Sequence, residues 1–231
     1  MATNKKHTSV WLIIPQTNLH VGNESIVNFS VIDKAIQRDV TTGFPCINSS
    51  SLKGAVKEYL TFKAGNDEDK RKNIIKLFGS IKKGQESQKG SALFFDATLL
   101  AIPEQRIKEN SPYKQVYNDE IVGAFITRVK ILGGVVDKEN LLNQIFKKDP
   151  CDYKKFESLC SDDNLPIIAR NCLENGESTN LWYEQVLPAQ SVLATIIQTN
   201  GEDDLKELEN AIVQIGANAT IGYGYCKFIK L

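Results

Sequence analysis

The chain opens on an unbroken apolar run, Val10 to Ile14, with the length and side-chain type of a buried strand. Pro15 ends it, and Leu19-His20-Val21-Gly22 follow. Asn23 to Arg38 is mostly polar and carries few helix signals. Next come Gly43-Phe44-Pro45-Cys46-Ile47 and three serines, Ser49, Ser50 and Ser51. Leu52, Ala55, Val56, Tyr59 and Leu60 then recur at helical spacing. Serine is a good N-cap, so the pattern predicts a helix from Ser51 to Lys63. Asn66 to Asn73 is charged and reads as surface, and Leu77-Phe78-Gly79 closes a second short helix. Ile81 to Gly90 reads as a Lys/Gln/Gly-rich loop and Ala92 to Leu100 as a strand. From 102 to 160 the pattern is mixed. Ile167–Cys172 and Leu181–Pro188 flank Asn175-Gly176, a strong tight-turn signal, and predict a hairpin. Ser191 to Gln198 is strand-like. Leu205, Leu208, Ile212 and Ile215 mark an amphipathic helix stopping near Gly216. The tail from Ile221 to Ile229 reads as a glycine loop entering a last strand.

The regular elements therefore run strand, helix, strand, strand, helix, strand, which is the split βαβ order of the ferredoxin-like fold. The expectation is an α+β protein, one domain over 1–231, with insertions at roughly 61–90 and 102–180. That fold serves many functions, so function has to be argued from the site.

Composition narrows the field. No apolar stretch reaches the ~18 residues of a membrane-spanning helix, and Met1 to Lys6 lacks the apolar core of a signal peptide. The five cysteines are scattered without a CxxC pair, and the two histidines are His7 and His20. A zinc site or disulfide framework is not expected, and a reducing cytoplasm suits the chain. The 28 basic and 28 acidic residues cancel. They are unevenly spread: residues 61–90 hold eight basic and four acidic side chains, and residues 160–231 hold four and ten. A neutral total can therefore hide one basic face, although ordinary solvated surface gives the same counts.

Three segments can carry chemistry. Ser49-Ser50-Ser51-Leu52-Lys53-Gly54 starts a helix, where unpaired N–H groups, hydroxyls and Lys53 suit a phosphate, and Gly54 permits close approach. A plain serine cap explains the serines equally well. Gly222-Tyr223-Gly224 can bring backbone against a ribose or base, or can be only a tight turn. Asp33 lies between apolar neighbours, close to Lys34 and Arg38. It can be a positioned acid or base, although a salt-bridged loop carboxylate is the commoner case.

Taken in order, these segments resemble a known family over nearly the whole chain. The matching text is Leu19-His20-Val21-Gly22, Val31 to Asp39 around Asp33, Thr42 to Pro45, Ser49 to Ala55, Leu77 to Gly79, Gly90 to Ala97, Leu181 to Pro188 and Ile215 to Gly224. It resembles the RAMP superfamily, and within it the repeated backbone subunit of the type III-B (Cmr) CRISPR effector complex. The resemblance implies a ferredoxin-like, RRM-like palm with an inserted β-hairpin thumb. Residues 123–136 and the Asn175-Gly176 hairpin are the two candidates for that thumb. It implies copies stacked in a filament on guide RNA, beside other subunits of the effector complex, for antiviral defence. It further implies cleavage of the complementary target RNA at regular intervals, supported by a divalent metal, Mg2+ or Mn2+. Asp33 matches the loop aspartate of that reaction, as base, metal ligand or nucleotide positioner, and His20 and Glu184 match positions implicated alongside it as catalytic. Lys53 with Ser50 and Ser51 matches the guide-phosphate contact. Arg38, Ser49, Gly54, Gly222, Tyr223 and Gly224 complete the implied RNA-binding set. Two alternatives remain open: a non-catalytic RNA-binding backbone subunit, and a stand-alone guide-processing RAMP endonuclease, a class that often relies on histidine.

Overall fold

The structure is a computed structural model that describes residues 6–22, 32–80, 87–105, 111–145 and 147–231. Residues 1–5, most of the stretch between His20 and Arg38 (23–31), and residues 81–86 of the Ile81–Gly90 loop lie outside the described residues. The first half of the chain forms β1 (His7–Pro15), β2 (Cys46–Ile47), α1 (Ser49–Ala64), α2 (Glu68–Phe78), β3 (Gly79–Ser80), β4 (Gln88–Lys89), β5 (Leu93–Phe94), β6 (Ala97–Gln105) and β7 (Tyr113–Tyr117). The second half forms α3 (Asp119–Ile131), α4 (Lys138–Asn143), β8 (Asp149–Pro150), α5 (Tyr153–Cys160), β9 (Ile167–Glu174), β10 (Glu177–Gln185), β11 (Val192–Thr199), β12 (Ile212–Gln214) and β13 (Tyr225–Lys230).

The main sheet is centred on four antiparallel strands in the spatial order β13-β1-β11-β6, the ferredoxin-like core. β12 extends one edge, and β7 then β8 extend the other. Val10 to Ile14 is continuously apolar because both faces of β1 are covered. Trp11 and Ile13 pack with Leu52, Val56 and Leu60 of α1. Val10, Leu12 and Ile14 pack on the opposite face with Val122, Phe125 and Val129 of α3.

Helix α1 begins two residues before the predicted start. Asn48 occupies the cap position without a side-chain hydrogen bond; the Asp96 carboxylate instead accepts the Ser49 N–H at 2.6 Å. The charged stretch before Asn73 is the exposed first half of α2, capped by the Asp67 carboxylate. Residues 92–100 are two strands, β5 and β6, joined where Phe95 N–H reaches Ile196 O at 3.1 Å.

Three expectations are corrected or sharpened. The mixed region holds α3, whose Asn118 side chain accepts the N–H groups of Glu120 and Ile121. Residues 123–131 therefore belong to a packed helix, and 123–136 does not supply a hairpin. The Asn175-Gly176 turn does: φ is +52° and +87° at its two residues, the primed-turn geometry that matches strand twist. Among the described residues β9 and β10 form a two-stranded sheet separate from the main one and are largely exposed, with a single bridge from β10 to Lys34 at its root. Finally, the amphipathic helix predicted through Leu205 and Ile215 does not form. Leu205 and Leu208 are buried around a single 3-10 turn, Asn210 adopts φ +57°, and Ile212 to Gln214 pair with β13 as β12. The spacing fitted a helix, but Val213 and Ile215 are buried while Ile212 is exposed, which is a strand's alternation.

Candidate functional site

The predicted residues converge at the root of the β9–β10 hairpin. The N–H groups of Asp33 and Lys34 both donate to Tyr183 O, at 3.0 and 3.1 Å, and Gln185 N–H donates to Lys34 O at 2.9 Å. The Asp33 carboxylate accepts the Tyr183 N–H at 2.7 Å. The loop is thus laid along β10, and Asp33 is fixed there while remaining exposed. Lys34 reaches over the Trp182 ring, 5.0 Å from its centroid.

Glu184, the next residue along β10, points to the other side, as strand alternation requires. It is 2% exposed and His20 is 3% exposed. His20 Nδ1 lies 2.7 Å from Gln185 O. A carbonyl oxygen can only accept, so Nδ1 carries the proton. Nε2 then faces Glu184 Oε1 at 3.6 Å. Glu184 Oε2 accepts from Asn218 Nδ2 at 2.7 Å and from Arg170 Nε at 3.2 Å. A carboxylate buried this deeply needs such donors, because desolvating it unpaired is costly.

The glycine-rich turn supports this cluster. Ala217 N–H donates to His20 O, and Gly224 N–H to Asn18 O, both at 2.9 Å. At Gly216 (φ +82°) a Cβ would stand 2.2 Å from His20 O, and at Gly224 (φ +76°) 2.0 Å from Ile215 O. Only glycine lets the turn lie this close. Gly222 has φ +83° with open space around it. Tyr223 lies under the Arg170 guanidinium, ring centroid 4.5 Å from Cζ.

Arg38 stands apart from this cluster. Its guanidinium donates to Gly43 O, Cys160 O and the Asp162 carboxylate at 2.7, 2.8 and 2.6 Å. Asp162 also accepts Gln185 Nε2 at 2.9 Å. Burial pushes the Asp162 carboxyl up, but the hydrogen bond from Gln185 and the Arg38 charge outweigh it and hold it below its ordinary value.

The start of α1 forms a second, separate locus. Gln37 connects the two, accepting Asn48 N–H at 2.8 Å and donating to Ser51 Oγ at 3.1 Å. Ser49, Ser50 and Lys53 line an open groove of about 400 Å³ together with Leu93, Phe94 and Phe95. Gly54 is exposed with nothing within 4 Å of a Cβ position, which leaves room for a close approach.

Asp33, His20, Glu184 and Tyr223 are therefore brought together around β10, and the Ser49–Gly54 segment is not. Among the described residues no hydrogen bond or ion pair joins Asp33 to His20 or Glu184. Sequence reasoning missed Arg170, Asn218, Gln185 and Asp96. Asn218 carried a weak signal, since asparagine among glycines favours the left-handed conformation it adopts, φ +65°. Arg170 carried none, because its place opposite Trp182 comes from hairpin register.

A ferredoxin-like core bearing a detached hairpin, with a glycine-rich turn against the exit of the first strand, defines a class. The RAMP superfamily profile matches residues 13–227, and the chain belongs to that superfamily. More particularly, it is 26% identical over 278 aligned positions to the CRISPR system Cmr endoribonuclease Cmr4 of Pyrococcus furiosus, with 91% of each chain covered. It is 41% identical over 91 residues to the CRISPR system CMR subunit Cmr4 of Saccharolobus solfataricus, covering 39% of this chain and 27% of that one. A chain of the type III-B Cmr-beta complex bound to cognate target RNA superposes with TM-score 0.74, at 21% identity over 97% of both chains. Oligomeric Cmr4 from Pyrococcus furiosus superposes with TM-score 0.70, at 19% identity over 98% of both.

Proposed function

We propose that this chain is a repeated backbone subunit of a type III-B CRISPR effector complex. It packs with copies of itself and with other subunits along a guide RNA, and it cuts complementary target RNA at regular intervals in antiviral defence. The observation that carries the cleavage reading is the Asp33 carboxylate, exposed but held by the Tyr183 N–H at the root of a projecting hairpin. The likeness to a Cmr endoribonuclease over 91% of each chain supports it. The β9–β10 hairpin takes the part of the thumb that presses into the guide–target duplex. Its exposed Leu173 and Leu181 are suited to base contact.

RNA carries its own nucleophile, the 2′-hydroxyl. Prying a nucleotide out of the duplex at the hairpin root lets that hydroxyl align with the adjacent phosphorus, and such alignment supplies much of the rate. Asp33 sits at that root, where it can accept the hydroxyl proton as the 2′-oxygen bonds to phosphorus; the bond from phosphorus to the 5′-oxygen breaks, that oxygen takes a proton from water, and a 2′,3′-cyclic phosphate remains. His20 and Glu184 are buried, so their part is to hold β10 against the segment that follows β1. Sequence selection comes from base pairing, while the protein reads backbone and shape. The Ser49–Gly54 groove holds guide phosphate through Lys53 and the serine hydroxyls, with Phe94 and Phe95 as its apolar wall.

Among the described residues no group of three His, Cys, Asp or Glu side chains can hold a metal ion. A Mg2+ or Mn2+ ion bound by one carboxylate, RNA phosphate and water still fits. Asp33 has spare acceptor capacity among the described residues, since a carboxylate offers about four lone-pair sites and Tyr183 N–H takes one. When bound, the ion would neutralise charge building on the phosphate.

The same Asp33–Tyr183 hydrogen bond also favours a second reading, a loop staple in a non-catalytic RNA-binding backbone subunit. Asp33→Asn separates the two, because asparagine keeps an acceptor for Tyr183 and removes the charge. In the assembled complex, the expected outcome is normal binding of complementary RNA with cleavage lost. Unchanged cutting would leave only the structural reading. The setting is a reducing cytoplasm, and among the described residues no helix is long and apolar enough to cross a membrane.

A further inference from the structure

The Glu184 carboxylate is where four parts of the chain meet. It sits on β10, faces His20 beyond β1, and accepts from Arg170 on β9 and Asn218 in the turn before β13. We propose that Arg170 and Asn218 are positioning residues for the cleavage site. By fixing Glu184 they fix β10, and with it the strand segment that presents Asp33. The proposal rests on the reading of Asp33 given above.

The geometry has three parts. Both donors fall on Oε2, which leaves Oε1 to face His20. The donors come from different elements, and Arg170 touches the second element again by lying over Tyr223. Together they cross-link the projecting hairpin to the glycine-rich turn. Finally, Glu184 forms a bridge with Lys34, the neighbour of Asp33, and Gln185 N–H donates to Lys34 O. A tilt of β10 at Glu184 therefore carries Asp33 with it.

Stability alone is a poor reason for this network. Buried charge pairs commonly add little over an apolar replacement, because desolvation offsets the attraction. Arg170 is also incompletely satisfied, since its Nη2 is buried without a hydrogen-bond partner among the described residues. What the network does supply is direction, and a misplacement of about 1 Å at a reacting group costs about a hundredfold in rate.

The test uses the assembled complex loaded with guide RNA, measuring single-turnover cutting of complementary RNA and the Kd for that RNA. Asn218→Ala and Arg170→Gln are each expected to slow cutting about ten- to a hundredfold while Kd changes by less than about twofold. Arg170→Lys keeps the charge but not the Nε donor or the planar face over Tyr223, so it is expected to recover only part of the rate. In a Glu184→Ala background the same substitutions should cost less than about twofold more, because the carboxylate they act through is gone. Full multiplicative losses in that background overturn the proposal, as do wild-type rates for Asn218→Ala and Arg170→Gln. Asp33→Asn is run alongside. If it cuts normally, the reading of Asp33 falls and the proposal with it. If it is inactive while Asn218→Ala cuts at the wild-type rate, only the positioning proposal falls.

Discussion

Gly216 shows how a single residue shapes the site. Its φ is +82°, and a Cβ would stand 2.2 Å from His20 O. Gly222 has nearly the same φ, +83°, with nothing within 4 Å. The two separate conformational strain from collision. Gly222→Ala is expected to lose about 1 kcal/mol, the left-handed penalty alone. Gly216→Ala is expected to lose about 3 kcal/mol, because the turn must also move away from His20. Urea unfolding of both variants checks this, and equal losses would show that the turn yields freely. At this scale the sequence exposed residue types that invite chemistry: Asp33, His20, the serines before Lys53. It did not show that Arg38 is engaged by Gly43, Cys160 and Asp162, nor that Asp96 takes the first free N–H of α1. Those partners lie 47 to 124 residues away in the chain for Asp96, Cys160 and Asp162, beyond any local pattern.

Among the elements, the β9–β10 hairpin was the most legible, because its turn chemistry is local: Asn175-Gly176 supplies both positive φ values. Among the described residues the arm beyond Asn171 and Leu181 pairs only within itself, so it adds little to the core. Replacing residues 172–180 by Asn-Gly retains Arg170, Tyr183 and Glu184 in register. The shortened protein is expected to melt within about 4 °C of the original, roughly a 1 kcal/mol effect at this size. It should still assemble and should lose target cutting. A larger fall in Tm would show that the arm supports the palm. The segment at 205–215 failed for the opposite reason: its apolar spacing satisfies a helix and a strand in part, and the open edge of β13 decided between them. α3 was hidden although Val122, Phe125, Ile126 and Val129 are buried at helical spacing; Gly123 and the β-branched Ile121, Val122, Ile126, Thr127 and Val129 weaken its intrinsic helix signal.

The whole molecule is a sheet covered on both faces, and its thiols report on that packing. Burial pushes Cys46, Cys160 and Cys226 up to about 12. Cys172, on the hairpin, is exposed. A raised thiol pKa means less thiolate at a given pH, and thiolate is the reactive form. At pH 8 the folded protein is therefore expected to alkylate first at Cys172. Cys46, Cys160 and Cys226 should react only after unfolding, as peptide mass spectrometry will show. Early labelling of Cys226 would mean that β13 opens readily.

By itself the sequence determined what depends on near neighbours. It set the apolar run of β1, the first helix, the primed turn of the hairpin, and the ordered motifs that mark the superfamily. The tertiary structure alone decided what depends on register and on edges. It placed Asp33 on β10 rather than in a free loop, gathered His20, the hairpin pair Arg170 and Glu184, and Asn218 from three distant segments, and turned a helix-like pattern into an edge strand. The physical reason is range: turn and cap preferences act over a few residues, whereas a buried carboxylate finds its donors only after the sheet has closed.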